Sequence, residues 1–537
     1  MIGRRSTLIF GTQLISRFFG FIFIIILANF WGEYAVTTMG VIGFAMSFLA
    51  VFSLIGNLGF DSAHVKRVSE GKNLGTCIGT YISIKVILVS IMVIIILSSI
   101  FIWKNILNQN FTDATTESVT FVFILFYVFE LLSRIPSYTF TATREIAKRQ
   151  IVLITQNVTK IPFMILVVLA GANIAAGNKI PPVFEWPSFL LPFRNFLADH
   201  AIGSISTAYV LGVFLSLIVG LYLLRKYPIK KPTKEMINSY TYFAFPAMLL
   251  SVITIISTNI DKIMIGYFWT SMEVGYYFTV QQILEAVTII SVAVGTVLFP
   301  TLSNFHSANN HSKIKQITHQ AERYVSMVIM PVGIVIIVLV EHFIRIILNE
   351  AFLPASSVLV ILTFYALLGG LTMPYNSLIR GVNRPGITAK IGFVMCSTNI
   401  ILNLLFIPKN GLLSFAGING PTGAAIATTI SCLIGFIAAR IASKKLTNIK
   451  IFQKHTPKHI IAGVVMGITL YYTSNLVEIF RFYHLILFSL FGLSIYLSLL
   501  YIFKEFNKKD FLFFIDLLHP KKMFNYVSSE LKNNKHK

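Results

Sequence analysis

Stretches of about 20 consecutive apolar residues recur along the whole chain, and each is long enough to cross the ~30 Å hydrocarbon core of a bilayer as a helix. Only 12% of the residues are charged, against about 25% in soluble proteins. Lipid leaves unpaired backbone groups unsatisfied, and no alternating barrel pattern is present, so the spans must be helical. We therefore predict an all-α, polytopic membrane protein with fourteen transmembrane helices, at 6–30, 37–60, 76–103, 119–141, 151–175, 201–224, 239–267, 274–302, 321–347, 355–378, 387–407, 421–441, 459–476 and 484–503.

The charge distribution predicts the orientation of these spans. With the N-terminus inside, the inner segments carry 32 Lys and Arg residues and the outer loops carry five. Such a bias places both termini in the cytoplasm. It also accounts for the net charge of +23 without nucleic acid, because the basic face meets anionic lipid headgroups. The first span is full length and no cleavage site follows it, so we expect a signal anchor in the cytoplasmic membrane.

One fixed offset in the numbering aligns three landmarks: Phe268-Trp269 with Phe30-Trp31, Val274 with Val36, and Pro374 with Pro136. This repeat offset, the number of positions from Trp31 to Trp269, predicts two homologous six-helix lobes. An even number of spans makes both lobes run the same way around a central cavity. We therefore predict four parts: an N-terminal lobe at 1–236, a C-terminal lobe at 237–448, an additional helix pair at 449–503 and a basic cytoplasmic tail at 504–537.

The outer loops and the cysteines say less about function than the spans and their charges do. The outer loop 176–200, rich in proline and aromatic residues, is about a dozen residues longer than its counterpart 408–420; it is either an outer lid or a loop that drifted, which loop-closure entropy tolerates. Asn110-Phe-Thr112 is a glycosylation sequon, used only in a host that glycosylates. The three cysteines lie in or at the edges of spans, which indicates neither disulfides nor a cysteine metal site.

Four basic residues of the first lobe lie at membrane depth, where an unpaired charge costs roughly 3 kcal/mol or more. Arg17, Lys85 and Lys160 lie about 14–16 Å from the inner surface at 1.5 Å per residue. Arg134 follows Glu130 at i,i+4, the favourable order for an ion pair. With one acid among four cations, we expect a net charge of +3 that internal pairing does not neutralise.

This excess favours an anion such as a phosphate, to which arginine offers a bidentate fork. The predicted phosphate and glycan cavity comprises Arg17, Lys85, Arg134 and Lys160, with Asn57 and Asn157 for sugar hydroxyls. The alternatives are that the lysines snorkel to the inner headgroups and that the asparagines bond neighbouring helices.

The second lobe carries the candidates for ion coupling. Asp261 lies beside Lys262 near the outer end of its span, and Glu285 lies mid-span one turn after Gln281 and Gln282. A buried carboxylate among amides suits a coupling proton or Na⁺, because either removes the cost of the bare charge. The alternative for Glu285 is neutralisation of a basic group of the facing lobe.

Three motifs resemble those of the polysaccharide-transporter flippases, which move O-antigen and other lipid-linked oligosaccharides. They are Asp261-Lys-Ile-Met-Ile-Gly266 with Val274-Gly-Tyr-Tyr277, the opening Gly11 to Phe21 with Asn57-Leu-Gly-Phe60 and Val65 to Glu70, and Gly417-Ile-Asn-Gly-Pro-Thr-Gly-Ala-Ala-Ile-Ala-Thr428. The resemblance implies the multidrug/oligosaccharidyl-lipid/polysaccharide exporter superfamily, with two six-helix lobes in alternating access. It implies a flippase, not an enzyme, that moves a lipid-linked oligosaccharide on a polyprenyl phosphate or pyrophosphate from the inner to the outer leaflet.

Other functions fit the residues less well. A multidrug antiporter of that superfamily would need an acidic cavity for organic cations, and the basic Arg17 is evidence against one. Export of a cell-wall lipid precursor or an amphipathic drug is the alternative function. A membrane glycosyltransferase would show clustered aspartates, and the six aspartates form no cluster. No Gly-rich phosphate loop is present, so we expect no cofactor and no metal, with H⁺ or Na⁺ as the coupling ion. Expected partners are the lipid-linked substrate, membrane lipids and glycosyltransferases or a polymerase of the same pathway.

Overall fold

The computed structural model describes residues 2–106, 111, 113–174, 177–451, 453–477, 479, 481–507 and 510. Its described residues form fourteen long helices, one for each predicted span, which confirms the all-α membrane fold. These are α1 (Ile2–Trp31), α2 (Glu33–Asn57), α4 (Leu74–Asn105), α5 (Ala114–Ala142), α6 (Ile146–Ala170), α8 (Ala201–Leu224), α9 (Lys234–Phe268), α10 (Ser271–Ser307), α11 (His311–Val338), α13 (Ser356–Gly381), α14 (Pro385–Phe406), α15 (Gly420–Thr447), α16 (His455–Leu476) and α17 (Phe482–Ile502).

Short elements connect the long helices. They are α3 (Phe60–Ser69), α7 (Leu191–Asp199), α12 (Val340–Phe343), and a two-stranded antiparallel sheet of β1 (Ala172–Asn173) and β2 (Lys179–Ile180). By length and composition, eleven helices of the described residues could each cross a membrane, and twelve if the bent α10 counts as one span. The sequon residues Asn110 and Thr112, and the predicted tail beyond 510, lie outside the described residues.

Polar side chains just before the spans set where several helices begin. Asn73, Asp113, Thr233 and Asn310 each accept a hydrogen bond from the backbone N–H three residues ahead, at 2.6 to 3.3 Å. Such caps satisfy donors that the first turn leaves without an intrahelical partner. The helices therefore start a few residues before the apolar run does.

The described residues form two compact units. One comprises 1–17, 280–399 and 425–537, and the other comprises 18–279 and 400–424. In the first unit, Val325, Leu367, Met466 and Tyr496 belong to one apolar core; in the second, Phe60, Tyr81, Phe140, Val152 and Tyr240 belong to another. The division into lobes at 236/237 stays a prediction.

The repeat offset reappears in hydrogen bonding within the second unit. The indole of Trp31 donates to the carbonyl oxygen of Val168 at 3.1 Å, and the indole of Trp269 donates to that of Ile407 at 2.7 Å. The acceptors are thus separated by nearly the same offset as the donors. Both tryptophans tie the end of one span to the end of a span four further along in the long-helix order, as a duplicated fold requires.

Candidate functional site

A glycine turn positions the first buried acid. The chain reverses at Leu58 and Gly59, both in the left-handed region (φ 41° and 81°). A Cβ at Gly59 would lie 2.3 Å from the carbonyl oxygen of Ala244, so only glycine allows this approach to α9. The turn folds α3 back against its neighbours and leaves Asp61 3% exposed.

Asp61 is the centre of a closed ion-pair network that the sequence analysis missed. Its carboxylate lies 2.6 Å from the Nζ of Lys85 and 3.3 Å from the Nη1 of Arg134. Tyr81 donates its hydroxyl to Oδ1 at 2.6 Å. The amide of Asn57 lies 3.0 Å from both carboxylate oxygens when its nitrogen faces them. Lys85 is fully buried, so it does not snorkel.

Arg134 joins this network to Glu130. Its Nη2 lies 2.9 Å from Oε1 of Glu130, and its Nε donates to the same oxygen at 3.0 Å, which confirms the i,i+4 pair. The expectation of a net +3 without internal neutralisation is wrong: Asp61 pairs with two of the four cations. The predicted spans 37–60 and 76–103 leave Asp61 in the cytoplasmic loop between them, but α3 buries it.

His64, one turn after Asp61, is a second residue that the sequence analysis missed. Its ring is fully buried, with Nδ1 2.9 Å from the hydroxyl of Tyr240 and Nε2 3.0 Å from the hydroxyl of Thr139. It stacks on Tyr81 at 4.2 Å. Both ring nitrogens therefore have partners, which is the pattern of a structural histidine.

Arg17 and Glu285 form an open pair, in contrast to the closed network. The Nη1 of Arg17 lies 3.1 Å from Oε2 of Glu285 and donates to the backbone carbonyl of the same residue at 2.7 Å. The two side chains are 36% and 46% exposed. Glu285 is therefore paired with a basic group that remains accessible. The alternative placed that group in a facing lobe, whereas Arg17 and Glu285 belong to the same compact unit.

Lys160 and Asn157 share one face of α6. The Nζ of Lys160 lies 4.6 Å from the ring centre of Tyr209, and among the described residues no carboxylate approaches it within 4.0 Å. A cation over an aromatic face is attracted to the ring quadrupole but keeps its charge. Asn157 donates to the carbonyl of Leu153 in its own helix at 3.4 Å.

Asp261 is enclosed. It is 3% exposed and accepts hydrogen bonds from the hydroxyl of Tyr277 and the amide of Asn403, both at 2.6 Å. Its neighbour Lys262 donates to the carbonyl of Thr258 at 2.6 Å. The structure thus places the two predicted coupling carboxylates in different settings: Asp261 is buried and bonded by Tyr277 and Asn403, whereas Glu285 is accessible beside a cation.

A second buried ion pair, also missed, lies in the first unit. Arg440 and Glu322, 1% and 0% exposed, are bonded to each other, and Tyr375 donates to the second Glu322 oxygen at 2.5 Å. The Arg440 guanidinium also lies 4.4 Å from the ring centre of Phe436. Arg440 lies at the inner end of the predicted span 421–441, where a flanking charge exposed to the cytoplasm is usual, but α15 keeps it buried.

Salt bridges connect the C-terminal helix pair and the segment after it to α11. Arg323 lies 3.3 Å from Glu505 and 2.7 Å from Asp510, and Lys458 lies 2.7 Å from Glu505. Arg323 stands one repeat offset after Lys85, so the same repeat position holds a cation in both halves. No group of three or more His, Cys, Asp and Glu side chains able to hold a metal is found in the described part of the chain.

The chain is similar to known proteins over most of its length. Two models described as "polysaccharide biosynthesis protein" match residues 2–180 and 197–357. The probable low-salt glycan biosynthesis flippase Agl15 of Haloferax volcanii is 22% identical over 94% of this chain and 95% of its own length. The probable flippase AglR of the same organism is 27% identical over 44% of this chain and 47% of its own.

Solved structures agree on the fold. The lipid II flippase MurJ in an inward closed conformation superposes with a TM-score of 0.70 at 18% identity, over 92% of this chain and 98% of that one. An inward-facing multidrug transporter of the MATE family gives a TM-score of 0.61 at 13% identity, over 81% and 96%.

The fold is that of these polytopic, all-helical transporters. Together with the similarity to a probable flippase over nearly the whole chain, it indicates a multi-pass membrane flippase or transporter. The family models and the relatives show that the chain is similar to polysaccharide-biosynthesis proteins and to probable glycan flippases, as its motifs predicted.

Proposed function

We propose that the protein flips a lipid-linked oligosaccharide, carried on a polyprenyl phosphate or pyrophosphate, from the inner to the outer leaflet of the cytoplasmic membrane. The full-length similarity to a probable glycan biosynthesis flippase supports this cargo. The positive-inside bias supports cytoplasmic termini. Glycosyltransferases or a polymerase of the same pathway are the candidate partners.

The observation that carries the proposal is the accessible pair of Arg17 and Glu285. Of the other three predicted cations of the first lobe, Lys85 is buried with Asp61, Arg134 is 28% exposed but is held by two carboxylates, and Lys160 rests on a ring. Arg17 alone among them combines a free approach with a single carboxylate partner at 3.1 Å. A phosphate can replace that carboxylate, because two phosphate oxygens can accept hydrogen bonds from the guanidinium of Arg17.

Exchange of partners also supplies a coupling step. When the phosphate takes Arg17, Glu285 loses its counter-ion and its bare charge becomes costly in the membrane. A proton or Na⁺ then offsets that cost, so substrate binding and ion binding are linked. Asp261 is the second coupling candidate, although its hydrogen bonds from Tyr277 and Asn403 must open first.

Lys160 is the second cation that a phosphate can reach, since no carboxylate competes for it among the described residues. Lys85 and Arg134 fit a different role. Lys85 has no exposed surface and is held by Asp61 at 2.6 Å, so a phosphate would have to break that pair. We assign these two residues to the scaffold that holds α3, α4 and α5 together.

The test is transport of a lipid-linked oligosaccharide in vesicles, beside the amount of folded protein. We expect Arg17→Ala to abolish transport with normal folding, and Arg17→Lys to restore it only in part, because lysine keeps the charge but loses the fork. Arg345→Ala is the matched control, since Arg345 pairs with Glu350 at 2.6 Å and both side chains are more exposed than those of Arg17 and Glu285. Full transport by a well-folded Arg17→Ala protein would refute the phosphate role.

Glu285→Gln tests the coupling step. We expect the variant to bind substrate and to lose the dependence of transport on a proton or Na⁺ gradient, because glutamine neither titrates nor carries charge. Unchanged gradient dependence returns Glu285 to the role of a simple counter-ion. Transport of lipid-linked cell-wall precursor or of an amphipathic drug in place of the oligosaccharide would favour the alternative cargo.

A further inference from the structure

The long outer loop is folded and tied to the end of α6. Strands β1 and β2 pair Ala172 with Ile180 and Asn173 with Lys179. After them the backbone N–H of Val183 donates to the carbonyl of Leu169 at 3.0 Å, and the Nε of Arg194 donates to that of Ala170 at 3.1 Å. Such anchoring argues against a loop that merely drifted in length.

The anchored loop lines an open groove of about 430 Å³, a volume within the range of roughly 300–1,000 Å³ typical of small-molecule sites. Its lining comes from two segments, Pro182 to Trp186 and the first turns of α7 with Leu191 and Arg194. The rings of Phe184 and Trp186 are stacked at 5.1 Å with 12° between their planes. Phe184 keeps 46% of its surface exposed, so an aromatic face is open to a ligand.

The polar groups of the groove carry both signs. Glu185 supplies a carboxylate that only accepts hydrogen bonds. Arg194 supplies a guanidinium that only donates them; its Nε and Nη1 already donate to Ala170 and Asn195, so Nη2 is the nitrogen left for a ligand among the described contacts. A hydroxyl both donates and accepts, so a ligand with neighbouring hydroxyls can satisfy both groups at once. Aromatic faces with planar polar side chains beside them suit the C–H face and the hydroxyl edge of a sugar ring.

We propose that this groove binds saccharide units of the translocated glycan on the outer side of the membrane. The loop joins the end of α6 at Ala170 to the start of α8 at Ala201, which the charge bias places outside. The inference rests on the proposed function for the origin of the glycan, but the groove itself is separate from Arg17. It would hold the head of the lipid-linked substrate as it leaves the transport path.

The test uses purified protein in detergent and saturation-transfer NMR with free chitotriose, maltotriose and a hyaluronan tetrasaccharide at millimolar concentration. We expect a signal from at least one of these saccharides, at least fivefold weaker in Phe184→Ala and retained in Phe184→Tyr, which keeps the aromatic face. Phe189→Ala is the matched control, because Phe189 lies in the same loop, is 78% exposed and does not line the groove.

Arg17→Ala separates this inference from the proposed function. That variant should bind the saccharides like the unmodified protein even where transport is lost, so transport and groove binding fail independently. No signal from any of the three saccharides would overturn the proposal. An equal loss in Phe184→Ala and Phe189→Ala would also overturn it, in favour of a loop whose aromatic residues only anchor it in the outer leaflet.

Discussion

Within the second unit, α2 and the first turns of α10 approach each other closely at a glycine, and replacing that glycine gives a sharp prediction. Gly40 on α2 faces the first turn of α10, where a Cβ would lie 1.6 Å from the carbonyl oxygen of Ser271 and 2.9 Å from the backbone N of Gly275. In the reciprocal contact, a Cβ at Gly275 would lie 2.0 Å from the carbonyl oxygen of Val36. Small residues of this kind let membrane helices touch along their backbones.

The geometry gives the magnitude for Gly40→Ala. Real Cβ contacts essentially never fall below 3.0 Å, so the backbones must move apart until the 1.6 Å approach to Ser271 reaches at least that distance. Neither Ser271 nor Gly275 can yield by rotating a side chain, because the contacted atoms are backbone. Overpacking of this kind typically costs about 1–3 kcal/mol, which outweighs the ~0.5–1 kcal/mol that alanine gains over glycine in a helix.

The assay is thermal unfolding of the purified protein, followed by intrinsic fluorescence in one detergent. We expect Gly40→Ala and Gly275→Ala each to lower the midpoint. The double variant should lower it by less than the sum, because one separation accommodates both methyl groups. Gly369→Ala is the control, since a Cβ there meets no atom within 4 Å and alanine should stabilise α13 or leave it unchanged. An unchanged or higher midpoint for Gly40→Ala would show that these helices are not in contact.

Four further predictions follow from the distribution and pairing of charges. Reporter fusions after positions 190 and 230 should read outside and inside respectively, and an inside signal at 190 would break the six-plus-six topology. Arg440→Ala should cost about 3–5 kcal/mol by leaving a buried acid unpaired, measured as a lower unfolding midpoint and poorer expression. Arg323→Ala should free the C-terminal helix pair, read as faster proteolysis between α15 and α16. Burial alone would raise the pKa of Glu505, but Lys458 and Arg323 outweigh it and hold that pKa below its usual range, so the same proteolysis should accelerate in the unmodified protein as pH falls below about 4.5.

The sequence could predict the spans because hydrophobic length alone determines them. The span at 119–141 became α5 at Ala114–Ala142, and the extra turn at its start comes from Asp113, which caps the helix. Capping depends on one polar side chain before the apolar run, so hydropathy misses it. The repeat offset was equally readable, because Trp31 and Trp269 keep both their type and their hydrogen bond.

The partners of the charged residues could not be predicted in the same way. Asp61 follows directly after an apolar run and resembled a loop residue until the Leu58–Gly59 turn placed it beside Lys85. Glu322 and Arg440 are 118 positions apart, and nothing local marks them as a pair. Glu130 and Arg134, the pair predicted from the sequence, lie four residues apart on one helix, where spacing alone brings them together.

These partners decide which cations are available to a substrate. Asp61 is shared by two cations and a tyrosine, so drawing Lys85 away would leave several groups unsatisfied in a buried site, and the cost of unpaired buried charge is severe. Arg17 has one acid, and both side chains are accessible, so an arriving phosphate exchanges one anion for another while water or an ion reaches the displaced Glu285. At the Arg17–Glu285 pair, a phosphate can therefore take the place of one carboxylate without breaking other contacts. At the Asp61 network, the same exchange would disrupt the packing of α3, α4 and α5.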